Sequence, residues 1–336
     1  MFISKIFFIY FILVLHFHST SQISLKEGLS FSDIYNILLS KEKNNLIKIA
    51  IAGADSESTL QCARKIKDLK IANSILVGPE YHIKSIAQKI NIDISDFEII
   101  NIIDDTEAAR YAVKLVHDKK ADIYMKGSIH TKKIFKAILD KEIGLKEKGE
   151  MNVVSVFEDE INKKLLLISD GSVRPYPTLN EKKLIIENAV NVAHSLKINN
   201  PKVAPLAAIE VVNEKMKETV EAKELQKMNE KGEIKGCIVD GPLSLDLAID
   251  PEAARIKKIN RKIMGDADIL IFPDIHAGNI GYKMLTHIMN WKVGNVVTGT
   301  NAPVILTSRG DNVETKINSI LVTYMYFQYK RNKNGK

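Results

Sequence analysis

The sequence is short of cysteine: Cys62 and Cys237 are the only two, and neither has CxxC spacing. Neither a zinc site nor a disulfide framework is indicated, and the pair reads as buried thiols of a reduced compartment. Also lacking is a basic stripe interleaved with aromatics. Lysines are scattered among glutamates, as in KEIGLKEKGE and NEKMKETVEAKEL, which is the pattern of solvated helix faces. Nucleic acid is therefore not an expected partner, although a net charge of +7 still favours an anionic small molecule. No internal repeat is present. The one compositional anomaly is N-terminal, where the apolar run 6–15 is too short for an ordinary membrane span but fits the core of a signal peptide. Ser19-Thr20-Ser21 offers a small-x-small cleavage site. The other reading of residues 1–27 is a vestigial leader on a soluble enzyme, so cytoplasm, export and organelle import all stay open.

What is present is alternation. Apolar runs expected as strands fall at 47–53, 74–78, 97–102, 121–127, 151–157, 164–170, 202–210, 236–242, 267–274, 295–299 and 303–308. Several are nearly continuous in Val, Ile and Leu, which suits strands covered on both faces. Between them, segments such as 56–69, 105–120 and 180–198 repeat apolar residues at helical steps. The pattern predicts α/β layers with helices on both sides of a sheet. The charged, glycine-bounded stretch GLKEKGE at 144–150 marks a first domain crossing, and GNVVTGT at 294–300 a return. That gives a discontinuous domain of 28–149 plus 294–336, an inserted domain of 150–293, and a ligand cleft between them. The terminal KRNKNGK at 330–336 reads as a frayed tail.

Four segments carry candidate chemistry. In MKGSIHTKKIFKAILDKEIGL, Lys126 and Gly127 end a strand and a helix starts near Thr131. Lys126 is either an anion contact or a plain solvated lysine, and Thr131 either caps the helix or touches the ligand. In GCIVDGPLSLDLAID, Asp240 and Asp246 favour loop anchoring and cleft lining over metal ligation. In GDADILIFPDIHAGNIGYKML, Gly278 and Asn279 are expected to open a helix, and His276 reads as a surface or packing residue rather than a general base. In PVILTSRGDNVETK, Ser308, Arg309 and Gly310 stand where a strand gives way to a helix. Arg309 can grip a phosphate through two parallel hydrogen bonds, and the helix N-terminus favours an anion there. No local Ser/His/Asp signature supports a serine nucleophile. The spacing Asp311-Asn-Val-Glu314 reads as a capping box.

Taken in order, these four segments resemble the phosphate acetyl/butyryl transferase family, over most of residues 45–325. The resemblance implies a two-domain, three-layer α/β/α fold like that of isocitrate and isopropylmalate dehydrogenases. It implies the reaction acyl-CoA + phosphate ⇌ acyl phosphate + CoA, with CoA as substrate, no tightly bound cofactor, no metal, and a homodimer. Ser308 and Arg309 take the places of the family's catalytic and phosphate-binding pair. Lys126, Gly127, Thr131, Lys136, Asp240, Gly278, Asn279 and Gly310 are the expected substrate, phosphate and CoA contacts. The acetyltransferase branch carries a proposed thiol base where this chain has Thr315, and a substrate-contacting arginine where it has Lys136. MNVVSVF replaces a Ser-His-Val stretch and Arg174 an asparagine, while VDGPLSLDLAI looks closer to the butyryl branch. Two other functions compete: a non-catalytic CoA-binding homologue, motivated by Thr315, and a metal- and nicotinamide-dependent decarboxylating dehydrogenase of the same fold.

Overall fold

The computed structural model describes residues 29–41, 46–147, 149–258 and 260–335. The leader reading of 1–27 lies outside the described residues. All eleven apolar runs become strands of one sheet. They are β1 (Ile47–Ala52), β2 (Ala72–Gly78), β3 (Glu98–Asn101), β4 (Ile123–Lys126), β5 (Asn152–Asp159), β6 (Lys164–Ser169), β7 (Lys202–Pro205), β8 (Ile238–Val239), β9 (Ile269–Ile271), β10 (Val293–Thr298) and β11 (Val304–Ile305). The runs at 202–210, 236–242, 267–274 and 303–308 contribute only short strands, because a turn or loop follows at once in each.

The helices are α1 (Phe31–Ser40), α2 (Glu57–Asp68), α3 (Glu80–Lys89), α4 (Asp105–His117), α5 (Thr131–Ile138), α6 (Leu179–Ser195), α7 (Lys217–Glu230), α8 (Leu245–Ile249), α9 (Pro251–Ile256), α10 (Ile275–Lys283) and α11 (Val313–Asn334). Polar caps start several of them. Ser30 with Asp33 and Thr178 with Glu181 close reciprocal capping boxes at α1 and α6, and Asp104 accepts two amides at α4. Among the described residues no helix is long and apolar enough to cross a membrane.

The strand order is β3-β2-β1-β4-β11-β10-β5-β6-β9-β7-β8. Parallel ladders make up both flanks, and β11, β10, β5 and β6 pair antiparallel in the middle. Side chains alternate between faces along each strand. On β1, Ile49 and Ile51 join a core that runs under the whole sheet with α2, α6 and α11, while Ala50 and Ala52 face the other way. On that second face the core is divided. One cluster gathers Tyr124, Val153, Val297 and Val304 beneath α4 and α5; the other gathers Phe157, Ile168, Leu270 and Val293 beneath α8 and α9.

Residues 330–335 are not a frayed tail. Helix α11 continues to Asn334, and Lys330 Nζ donates to Glu147 (2.8 Å) and to the Thr300 carbonyl (2.7 Å). Those bonds tie the end of the chain to the stretch where residues 145–147 run beside 299–301.

Candidate active site

The site begins with a ladder that splits. Strand β11 stays beside β4, with Ile305 opposite Met125. Past the strand, Thr307 Oγ1 donates to the Lys126 carbonyl (3.0 Å), and Lys126 Nζ donates to the Thr307 carbonyl (3.0 Å). With β10 the pairing is a single step, Val297 opposite Val304. Continued antiparallel register would set Leu306 against Asn295, but the chain has already left. Asn295 is thus an interior strand residue with no strand on one side. Its amide donates instead to Ser319 Oγ of α11 (2.9 Å). Helix α11 comes this close because Gly294 lacks a side chain: a Cβ there would sit 2.6 Å from the Asn318 carbonyl oxygen.

One wall of the gap is the turn 308–311. The Ser308 amide donates to Asp311 Oδ2 (2.7 Å), and the Asp311 amide donates back to the Ser308 carbonyl (3.2 Å). Ser308, Arg309 and Gly310 are exposed. Lys316, buried on α11, donates to the Asp311 carbonyl (2.7 Å). The capping-box expectation fails here for a geometric reason. The cap of α11 is Asn312, whose Oδ1 accepts the Thr315 amide (2.8 Å). The third helical residue is therefore Thr315, and Asp311, outside the helix, turns to the Ser308 amide. Gly310 keeps a negative φ and has open space around its Cα, so the turn itself does not demand glycine.

The facing wall is α10. Its cap is Asp274, which accepts the His276 (2.8 Å) and Ala277 (3.0 Å) amides. Gly278 and Asn279 therefore lie inside the helix rather than opening it. Gly278 permits close packing, since a Cβ would fall 2.4 Å from the Asp170 carbonyl oxygen. Asn279 Nδ2 donates to the Gly171 carbonyl (3.0 Å). Tyr282, on the same helical face, brings its hydroxyl to Asn295 Nδ2 (3.1 Å). Asn295 is only 4% exposed, and its Oδ1 has no partner among the described residues. His276 points elsewhere, to the Tyr176 hydroxyl (3.0 Å).

Between the walls lies a cavity of about 310 Å³, lined by Ser308, Asp311, Tyr282, Asn295, Asn279 and Thr131 among others. It sits over the division between the two apolar clusters: along β10, Val293 belongs to one, Val297 to the other, and Asn295 stands between them. Larger hollows of about 600 and 530 Å³ occur beside α3 and between α1 and α11, but neither includes the Ser308 turn.

The structure gathers some expected residues and not others. Thr131 lines the cavity as the first residue of α5, and His130 rather than Thr131 occupies the cap position. Lys126 is not a solvated lysine: it is 2% exposed and lies beneath the Ser308 turn. Gly127 does serve close backbone approach, but to β1, where a Cβ would meet the Gly53 carbonyl oxygen at 1.9 Å. Lys136 is exposed on α5 and is not among the cavity-lining residues. Asp240 is apart from the rest. It follows β8 at the sheet edge, six strands from β11, roughly 29 Å at about 4.8 Å per strand. Both its oxygens are engaged: Oδ1 by Arg261 (3.0 and 2.8 Å), Oδ2 by the Ile263 amide (3.1 Å).

Burial and neighbouring charge tune the groups. Burial, then Arg309 and Lys316, push the Lys126 ammonium down to about 8. Lys316 is likewise lowered by burial. Asp311 is raised above the ordinary aspartate value, again by burial, against the opposing pull of the Ser308 amide, Lys316, Lys126 and His287. Tyr282 is pushed up to about 12, chiefly by burial, so its hydroxyl stays protonated at neutral pH. Cys62 and Cys237 are both free, and burial pushes each thiol up to about 12. Among the described residues no three or more His, Cys, Asp or Glu side chains group as metal ligands.

Asp311, Lys316, Tyr282 and Asn295 were not among the expected site residues. Two had signals. Tyr282 lies three residues beyond Asn279 and so shares its helix face, and Asn295 is an amide inside an apolar strand run. Lys316 and the turned-in Asp311 depend on how α11 meets the loop, which no local pattern encodes.

The known proteins agree on the family. The family model described as phosphate acetyl/butaryl transferase matches residues 33–115 and 102–324. A phosphate butyryltransferase of Clostridium acetobutylicum is 46% identical over 291 residues, covering 87% of this chain and 96% of its own. A phosphate acetyltransferase of Thermotoga maritima is 40% identical over 279 residues, covering 83% and 95%. The solved structure of a branched-chain phosphotransacylase from Enterococcus faecalis superposes with a TM-score of 0.74 at 34% identity, covering 84% of this chain and 99% of its own. The one large sheet with its helices is thus built as in the phosphotransacylases, and the chain belongs to the phosphate acetyl/butyryl transferase family.

Proposed function

We propose that this chain transfers an acyl group reversibly between CoA and phosphate: acyl-CoA + phosphate ⇌ acyl phosphate + CoA. The observation that carries the reading is the cavity at the split of β10 and β11. It sets Ser308 of an exposed turn, backed by two buried lysines, opposite the hydroxyl of Tyr282, with Arg309 exposed next to Ser308 outside the cavity lining. Arg309 grips the phosphoryl group through its guanidinium fork, and the charges of Lys126 and Lys316 support the anion from below. Ser308 and Tyr282 donate to the carbonyl oxygen as it gains charge in the tetrahedral intermediate. Asn295 already donates to the Tyr282 oxygen, which leaves the Tyr282 proton free for that purpose. Holding thioester and phosphate in one cavity supplies the proximity advantage.

The finer assignments are of a piece with this reading. The divided second face, with the cavity over the division, supports two domains of 28–149 plus 294–336 and 150–293 meeting along β10 and β5, in the manner of the decarboxylating dehydrogenases. Identity of 46% and 45% to two clostridial butyryltransferases, against 40% to the Thermotoga maritima acetyltransferase, favours a butyryl-sized acyl group over acetyl. Exposed Ile280, Met284 and Ile288 recur at four-residue steps along α10 and its π-helical continuation, Met284–Ile288. That stripe suits a homodimer contact. A cytoplasmic location fits the free thiols.

The test is thioester formation from CoA and either butyryl phosphate or acetyl phosphate, followed by absorbance. The wild type forms thioester, faster with butyryl phosphate, and Arg309→Ala loses most of the rate. Binding of CoA without turnover of either acyl phosphate would instead make the chain a non-catalytic homologue, the reading that Thr315 motivates.

A further inference from the structure

Acyl phosphate reacts with a thiolate, not a thiol, so CoA must lose its proton at the site. Where the acetyltransferase branch is proposed to keep a carboxylate for this, the present chain has Thr315. Its amide is held by Asn312 Oδ1 (2.8 Å), and its carbonyl accepts from Ser319 Oγ (2.7 Å). A threonine hydroxyl is far too weak a base. Glu314 is exposed and lines the hollow between α1 and α11, away from the cavity. Lys126 and Lys316 have their ammoniums turned to backbone carbonyls beneath the turn.

One carboxylate lines the cavity: Asp311. Its Oδ2 is taken by the Ser308 amide (2.7 Å), and among the described residues its Oδ1 has no hydrogen-bond partner. Its charged and titratable neighbours come from every side. Lys316 approaches from α11, Lys126 from β4, His287 from the π-helical turn and Tyr282 from α10, with Lys283 on the cavity wall and Arg309 beside it in the turn. We propose that Asp311 has taken over as the group that accepts the CoA thiol proton. This rests on the acyl-transfer reading of the same cavity. Asp311 Oδ1 takes the proton from sulfur, and the thiolate attacks the acyl carbon, forming C–S. The tetrahedral intermediate then collapses, the bond between the acyl carbon and the bridging oxygen breaks, and phosphate leaves as hydrogen phosphate with the proton that Asp311 returns. In reverse, hydrogen phosphate gives its proton to Asp311 as its oxygen attacks the thioester, C–S breaks, and the departing thiolate takes that proton from Asp311. The carboxyl's partial burial serves the task, because a base held above the ordinary aspartate range is better matched to a thiol. The Ser308 amide bond fixes the carboxylate next to the serine without using its second oxygen.

The experiment is the pH dependence of kcat/KM for CoA in thioester formation from butyryl phosphate, between about pH 4 and 9.5. The wild type is flat near neutrality and falls on the acid side as Asp311 takes up its proton. Asp311→Asn loses about 10²- to 10³-fold at neutral pH. What remains climbs about tenfold per pH unit toward the thiol's own pKa near 8.5, because only free thiolate then reacts. A parallel loss at every pH, with the wild-type shape kept, makes Asp311 a structural brace and overturns the proposal. His287→Gln is expected to keep the wild-type profile; if it removes the acid limb instead, the base is His287. Should Asp311→Asn fail to fold, Asp311→Glu decides: a base shifts the acid limb with its new carboxyl, and an unmoved limb counts against the proposal. A wild type that makes no thioester at any pH refutes the acyl-transfer reading itself, an outcome separate from all of these.

Discussion

Asp240 and Asp311 look alike in sequence: each stands close after an apolar run, in a glycine-containing turn that leads into a helix. In the fold they are opposites. Asp240 is 1% exposed, with Arg261 and the Ile263 amide occupying both oxygens, so it fastens one loop to another at the sheet edge. Asp311 spends one oxygen on the Ser308 amide and leaves the other toward a cavity, next to two buried lysines and a protonated tyrosine. Residue type and local setting do not separate a brace from a working group. What separates them is whether the hydrogen-bonding capacity is filled.

The comparison can be broken at either end. The largest effect belongs to the brace. Asp240→Ala leaves the buried Ile263 amide without its acceptor and the part-buried Arg261 guanidinium with only the Glu210 carbonyl (3.3 Å), and is expected to cost about 3–5 kcal/mol, read as a lower denaturant midpoint with an unchanged slope. A midpoint within experimental error of the wild type would show that the Glu210 carbonyl and water satisfy Arg261 without the carboxylate. At the working end, Arg309→Ala is expected to cut thioester formation roughly 10²- to 10³-fold with the midpoint unmoved. A drop in stability to match would put the arginine among the braces.

Tyr282→Phe sharpens the site further. The ring keeps its edge contact with Phe157 (5.6 Å between centroids), so the fold is retained while the donor is lost. The expectation is a roughly 10- to 100-fold fall in kcat with little change in KM. A change confined to KM would make the hydroxyl a binding contact alone. The smallest effect is electrostatic. Lys126 sheds its proton near pH 8, so phosphate binds a few-fold more weakly as the pH rises through that value. A KM for phosphate that is constant there would mean that the charge beneath the turn does not reach the ligand. The same shift has a stability sign. Between about 8 and the ordinary lysine value of 10.5 the unfolded chain binds the proton that the folded chain has released, so this group favours folding increasingly as pH rises through that window.

Much of the fold was legible because strand periodicity is local. Each of the eleven apolar runs became a strand, and the helical runs at 56–69, 105–120 and 180–198 became α2, α4 and α6. Errors gathered at helix starts. The α11 cap falls on Asn312, one residue past Asp311, and α10 starts at Ile275, three residues before Gly278. Ser308, Asn279 and Thr131, which line one cavity, could be picked out from the motifs alone. Asn295, Lys316 and the true setting of Asp311 could not be. They depend on two strands parting and on a helix packing onto Gly294, contacts between segments far apart in the chain.

The most direct test is the rate of thioester formation per folded molecule in Asp240→Asn and Asp311→Asn, side by side. The account predicts that the first variant is less stable yet turns over normally wherever it is folded, and that the second is as well folded as the wild type and nearly inactive at neutral pH. The reverse result, activity lost at the sheet edge and kept at the split, would contradict it.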